Sequence, residues 1–496
     1  MKRFTCLLLA TICLVGLLSG CQTVEEPVPT MDDNPFLSAA DLAALPVATD
    51  DMTAQQLRKL TVDYMELQSS FHWIPDMDVL DWPSSYGKVI LASDLYGGIP
   101  YQSTGSGNLY RWMEYYNEET GVMALSKAFE ENGGYGPDGA CVNGKPANKE
   151  EELRKIYHSF KAMFNACSQS TGWAWGRSTN STILGLSYKT NILYGFIPVG
   201  CYTYGYEHEG KYYDAFDIDV WGEVTEGNPL AYDCDDAIRD WNAQNGEDAM
   251  YKCYAQLKPG DCLVSPGHVI MVKEVHLLTD DNGQIKYDFS AITALETGTL
   301  FANQTTLGDK KYHQQGSTST AFSFADLQKK GYLPFTFAEF LDENDPQDKK
   351  HLDYYNSYKD QLTRLNYRFT VLDYPEDCGT AAVEKGRVFA NMESGDITAE
   401  QFKELVVGSN YLTSDVFVTV TDAEGKELLK NVYRNNMWTY EIPMTIECSA
   451  WKTDADDNYL PMYAGLAELA GQGNTVTVTM QISTGELLTV FTGKLI

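Results

Sequence analysis

Leu257-Lys258-Pro259-Gly260-Asp261-Cys262-Leu263-Val264-Ser265-Pro266-Gly267-His268-Val269-Ile270-Met271-Val272 runs turn, strand, turn, strand. Pro259-Gly260-Asp261 and Ser265-Pro266-Gly267 carry residues that reverse a chain, and the apolar run after each suits a buried strand. The spacing predicts a tight hairpin with His268 at its mouth, rigidly held and still able to reach a cleft. Downstream, Asp280-Asp281-Asn282-Gly283 turns the chain again before a strand-like run through Ile292 to Leu295. Upstream the period changes to that of helices. Leu57, Leu60, Val62, Tyr64 and Leu67 predict a helix over Ala54 to Phe71. Leu153, Ile156, Tyr157, Phe160 and Phe164 predict another over Lys149 to Phe164, with Asn148 as its cap and Glu150, Glu151 and Glu152 at the positive end of its dipole. Residues 51–345 therefore read as an α+β unit, helices first and a predominantly antiparallel sheet after.

Beyond about residue 366 the texture is strand. Val416-Phe417-Val418-Thr419-Val420 alternates and then turns at Asp422-Ala423-Glu424-Gly425. Asn474 to Ile482 and Leu487 to Leu495 form a further pair across Ser483-Thr484-Gly485. This predicts an all-β, sandwich-like domain over 366–496. The charged segment from Asp342 to Tyr358 marks the boundary, and 346–365 reads as a linker.

Chemistry centres on a thiol and an imidazole. Cys167 opens the segment Cys167-Ser168-Gln169-Ser170-Thr171-Gly172-Trp173-Ala174-Trp175-Gly176. A thiol is a weak nucleophile until its proton is taken, and a neighbouring histidine forms a thiolate–imidazolium pair. A helix N-terminus would favour the thiolate further and could hold an oxyanion. Cys262, on the strand before His268, reads as a core residue.

These blocks resemble the NlpC-type and CHAP-type cell-wall cysteine peptidases and amidases, which share a papain-like fold. Cys167-Ser168 followed by Trp173-Ala174-Trp175-Gly176 is similar to the family's nucleophile block. Pro259-Gly260-Asp261 and Gly267-His268-Val269 are similar to its histidine block. Gly97-Gly98-Ile99-Pro100-Tyr101 looks like the segment lining such sites, and Thr293-Ala294-Leu295-Glu296 like the strand carrying the third residue. The resemblance spans residues 95–340. It implies Cys167 as nucleophile, His268 as base and Glu296 as the orienting group, with Asn303 and Gln304 as alternatives for that last role. It implies Tyr101 and Trp173 as substrate contacts and the peptide part of peptidoglycan as substrate, with no cofactor and no metal. Ala166 stands where the family has Asp, and Gln169 where it has Gly. The long separation of Cys167 and His268 implies an insertion over 201–236, an aromatic and acidic stretch.

The N-terminus sets the compartment. Lys2 and Arg3 precede an apolar run from Phe4 to Leu18, then Leu18-Ser19-Gly20-Cys21. This is an export signal over 1–20, and it resembles the lipobox of bacterial lipoproteins, which implies a lipid on Cys21. Residues 21–50 are polar, proline-bearing and aperiodic, a tether. No later stretch approaches the roughly 18 apolar residues of a membrane span. The expected location is outside the cytoplasm, attached to the membrane by that lipid.

Composition narrows the partners. With 44% hydrophobic residues, 40 Gly and 18 Pro, the chain is neither collagen-like nor disordered. Lys and Arg number 37 against 69 Asp and Glu, a net charge of −32 that argues against nucleic acid and against attraction to anionic lipid. Beyond the anchor remain Cys141, Cys167, Cys201, Cys234, Cys253, Cys262, Cys378 and Cys448, whose pairing cannot be deduced. Asp214, Asp217, Asp219, Asp233, Asp235 and Asp236 read as a solvated acidic loop. Asp454, Asp456 and Asn458 imitate a calcium loop without its glycine. Two further readings stay open: a surface binding lipoprotein that keeps the fold without catalysis, and acyl transfer to an amine on the same fold.

Overall fold

A computed structural model describes residues 37–49, 51–78, 90–92, 94–102, 105, 107–132, 163–178, 196–202, 205–208, 211–214, 234–265, 268–297, 304–307, 310–314, 316–365, 388–390, 392–402, 404–409, 413–434, 444–445, 450–453, 459–482 and 485–496. The signal segment, Cys21, Asn303 and the calcium-like loop lie outside the described residues, as does all but Met163 and Phe164 of the helix expected over 149–164. Most of the 201–236 insertion lies outside them too.

The fold is mixed α+β with several antiparallel sheets. Helix α1 (Ala39–Ala44) falls inside the stretch expected to be a free tether. A Ser38–Asp41 capping box starts it, and Leu37 and Leu42 are buried in the main core. Helix α2 (Ala54–Ser70) opens with a second capping box, Thr53 with Gln56, and buries Leu57, Leu60, Tyr64 and Met65. Helix α3 (Leu109–Met113) is capped by Asn108, and helix α4 (Cys167–Trp175) packs on α2.

The central sheet has six strands: β1 (Phe196–Pro198), β2 (Cys262–Ser265), β3 (His268–His276), β4 (Ala291–Thr297), β5 (Gly316–Ser323) and β6 (Leu333–Phe337). Its order is β5-β4-β3-β2-β6-β1, antiparallel throughout. Helices α2 and α4 lie against β3, β4 and β5. A second six-stranded sheet includes two parallel joints, Tyr312 beside Leu95 and Ile74 beside Val122.

Residues 346–365 are the segment read as a linker. They form the 20-residue helix α5 (Pro346–Leu365), and it docks by polar contacts rather than an apolar stripe. Lys258 Nζ reaches the buried Asp348 Oδ1 at 2.6 Å, and the Gly200 N–H donates to His351 Nε2 at 2.8 Å.

The C-terminal region has its own core. Strands β7 (Thr413–Thr421) and β8 (Thr475–Ile482) are central in a four-stranded antiparallel sheet. A three-stranded sheet over 388–390, 406–409 and 444–445 contributes Ala390 and Val407 to the core made by Val416, Val418, Val420, Val476 and Val478. The region is not all β, because the helix Met462–Leu469 contributes Leu466 to the same core. Its Ala, Leu, Glu and Met residues are good helix formers.

Candidate active site

The Pro259-Gly260-Asp261 turn is the anchor point. The Gly260 N–H donates to the Val272 carbonyl and the Val272 N–H to the Asp261 carbonyl, each at 2.8 Å, which closes β2 onto β3. Arg58, from α2, donates to Asp261 Oδ1 at 2.7 Å, to the Pro259 carbonyl at 2.8 Å and to Thr336 Oγ1 at 3.0 Å. Both charged groups are buried, and the guanidinium lies 5.0 Å from the Phe340 ring centre. The Trp175 indole N–H donates to the Gly260 carbonyl at 2.8 Å. The last residue of α4 is thereby tied to the turn that starts the histidine hairpin.

At the other end of α4 stands Cys167, its first residue, with Ala166 at the cap position and no side-chain cap. The first N–H groups of a helix have no partner within it and carry partial positive charge. The stretch before Cys167 is zipped to residues 100–105. The Asn165 N–H donates to the Pro100 carbonyl, the Gln102 N–H to the Asn165 carbonyl and the Ala166 N–H to the Gly105 carbonyl, each at 3.1 Å. Buried polar contacts hold α4 laterally, with the Gln68 amide on the Ser170 carbonyl at 2.5 Å and Ser170 Oγ with Thr297 Oγ1 at 2.8 Å.

His268 is the first residue of β3, and Ser265 Oγ donates to its carbonyl at 3.2 Å. Its Nε2 lies 2.8 Å from Glu296 Oε2; the Glu296 side chain is 6% exposed and that of His268 26%. A bulge creates this pair. Thr293 faces Glu274 while Ala294 faces Val272, so Lys273 is the extra residue on β3. Leu295 then faces Met271, which puts Glu296 opposite Ile270 and on the same face as His268. In a regular ladder Glu296 would face Met271 and lie on the other face of the sheet.

Electrostatics couple the thiol of Cys167 to the imidazole of His268. Burial by itself pushes the Cys167 thiol up. The hydrogen bond and charge of His268, with the N–H groups of Val269 and Ser168, overcome burial and bring it below the ordinary thiol range. For His268 burial pulls the other way, and the bonds and charges of Cys167 and Glu296 push it up to about 10. Both directions describe one thiolate–imidazolium pair, which titrates as a unit. Glu296 accepts at Nε2, so Nδ1 is the ring nitrogen left for the thiol. The buried Tyr332 hydroxyl bonds to Ser265, and burial raises that phenol so that it stays neutral.

The other residues singled out from the sequence divide. Tyr101 is half-buried and pairs with Asn165 in an isolated bridge beside the cluster. Trp173 is 2% exposed and belongs to the core, so its ring faces protein rather than a cleft. Gln304 opens a strand of the second sheet opposite His313, whereas β4 belongs to the central sheet. Cys167, Cys201, Cys253 and Cys262 are unpaired thiols, and the Cys234 thiol donates to the Val264 carbonyl.

Sequence reasoning missed Gln102. Its carboxamide is fully buried, and neither its nitrogen nor its oxygen bonds to another group of the protein; the same holds for Asn165 and for the Ser168 hydroxyl. Buried polar atoms are almost always satisfied, so Asn165 and Ser168, which flank Cys167 in the chain, and Gln102, whose backbone bonds Asn165, are candidates for holding an external hydrogen-bonding group. The one sequence clue was position, since Gln102 directly follows Tyr101. Compared with known protein families, curated proteins and solved structures, the chain matches none.

Proposed function

We propose that this chain is a cysteine hydrolase acting on amide bonds. The observation that carries the reading is Cys167 at a helix N-terminus with its thiol lowered in spite of burial, faced by a histidine whose far nitrogen bonds a buried glutamate at 2.8 Å. The Cys167 thiolate attacks the amide carbonyl carbon, forming a C–S bond. The oxyanion is held by N–H groups at the start of α4 and by the Gln102 carboxamide. The C–N bond then breaks, and the imidazolium proton of His268 passes to the departing amine. Water, giving a proton back to His268, attacks the thioester; the C–S bond breaks and the acid leaves.

Within this reading the domain is papain-like and resembles the NlpC-type and CHAP-type enzymes, and the C-terminal region is sandwich-like. The substrate is the peptide part of peptidoglycan, and the chain is held outside the cytoplasm by lipid on Cys21. With a net charge of −32, attraction of an anionic wall polymer at long range is excluded, and recognition is local. The test uses soluble protein lacking residues 1–21 beside its Cys167→Ala variant, each incubated with purified peptidoglycan. Fragments released only when Cys167 is present, read by mass spectrometry, support the proposal and identify the bond. No release by either folded protein would count against it.

One observation favours a second reading, a binding lipoprotein without catalysis: Cys167 is only 5% exposed. Iodoacetamide separates the two. A catalytic Cys167 alkylates near neutral pH ahead of the better-exposed Cys201, whose thiol burial pushes up. Uniformly slow labelling selects binding.

A further inference from the structure

The C-terminal region contacts the rest of the chain at α3, and α3 touches the segments that flank the nucleophile helix on both sides. At the front end, the Trp112 indole N–H donates to the Met163 carbonyl at 2.6 Å, and the Gly107 N–H to the Phe164 carbonyl at 2.8 Å. A Cβ on Gly107 would overlap the Met163 carbonyl, so this approach needs glycine. Met163 and Phe164 lead directly into Asn165, Ala166 and Cys167. At the back end, Arg177 follows α4 closely, donates to the Tyr110 hydroxyl and lies 5.1 Å from the Tyr64 ring centre.

The outer side of α3 is gripped from the C-terminal region. Arg111 Nη2 donates to Asp415 Oδ1, on β7, at 2.7 Å, and both side chains are 0% exposed. Gly485, in the turn after β8, sits so close that a Cβ there would overlap the Tyr110 ring. Three consecutive residues thus face two ways. Tyr110 and Trp112 hold α4, while Arg111, with the other edge of Tyr110, is held by the C-terminal region.

We propose that Arg111 and Asp415 are a positioning pair for the Cys167 site: the C-terminal region braces α3, and α3 fixes both ends of the nucleophile helix against the His268 strand. This inference rests on the reading of Cys167 as the nucleophile. It makes the C-terminal region part of the site's support rather than a module carried beside it. A site holds its geometry only when the groups behind it are locked. A fully buried ion pair is suited to that because breaking it inside the protein is costly. Cys167 lies on α4 and His268 on β3, so a shift of α3 moves one against the other.

The test uses the chain from residue 22 onward with both regions present, and the variants Asp415→Asn and Gly485→Ala. The readout is the pH dependence of Cys167 alkylation by iodoacetamide, with thermal unfolding measured alongside. The groups that set that dependence, His268, Glu296 and Tyr332, are untouched by either substitution. Asp415→Asn should move the acid limb upward by about one pH unit, a tenfold fall in the thiol's acid constant. Gly485→Ala, which pushes on Tyr110 and leaves every charge in place, should move it the same way by about half a pH unit, threefold in the acid constant. A change that only lowered stability would lower the unfolding temperature and leave the limb in place. Folded variants with an unmoved limb overturn the brace, and if Asp415→Asn does not fold, Gly485→Ala decides. Slow labelling of Cys167 in the unaltered chain would overturn the nucleophile reading itself and the brace with it, a failure seen before any variant is made.

Discussion

The two ends of the β2–β3 hairpin differ in what their polar groups do. At the Pro259-Gly260-Asp261 end the charge of Asp261 is matched by Arg58, and burial together with that neighbouring carboxylate pushes the Cys262 thiol well above its ordinary value. At the other end His268 keeps part of its ring exposed, and the equally buried Cys167 is pulled down. Burial is common to both cysteines and does not separate them. What separates them is the set of donors within reach: a helix start and an imidazole for Cys167, a strand interior beside a carboxylate for Cys262. One end of the hairpin is locked by an ion pair, and the other holds a thiol coupled to an imidazole.

That contrast can be broken at four points. Cys167→Ala should abolish hydrolysis of purified peptidoglycan, by at least about 10⁴-fold, in a protein that still folds. Arg58→Met should leave Asp261 in the core with the Lys258 N–H but no counterion and cost about 3–5 kcal/mol in denaturant unfolding, most of it regained in the double variant Arg58→Met with Asp261→Leu. Glu296→Gln should slow hydrolysis on the order of 10²-fold and reshape its pH profile. The lowered Cys167 sets an acid limb below the usual thiol range, and activity falls as pH drops through it. His268, raised to about 10, sets the alkaline limb, where its proton is lost as pH rises. Removing the Glu296 charge should bring the alkaline limb down. Smallest of all, Cys262→Ala should keep full activity at a cost of about 1 kcal/mol. Loss of activity there would erase the difference between the two ends.

Local signals in the sequence were good guides where structure is local. The period of Leu57, Leu60, Tyr64 and Leu67 belongs to a real helix, and the turns at 259–261 and 280–283 do flank β2 to β4. The valines of β7 and β8 line the C-terminal core as their alternation indicates. Polar docking was illegible. Helix α5 looked like a linker because Asp348 and His351, which seat it, read as solvent-facing residues in a charged run. The parallel joint of Tyr312 with Leu95 joins strands too distant in the chain for any local pattern. For the site, Cys167, His268 and Glu296 were picked out and the structure places them in one cluster, whereas Gln102 carries no periodic or motif signature. Trp173, read as a substrate contact, is 2% exposed and packs in the core from Cys167's own helix.

The extra residue in β3 has a consequence for how this chain could change over generations. Deleting Lys273 would remove the bulge and give β3 and β4 an unbroken ladder. Ala294 and Leu295 would keep Val272 and Met271 as partners, so Glu296 would stay opposite Ile270 on the face of His268. A loss of three nucleotides could thus leave a tidier sheet with the pair intact, whereas a slip of one residue with Lys273 kept would part the two side chains.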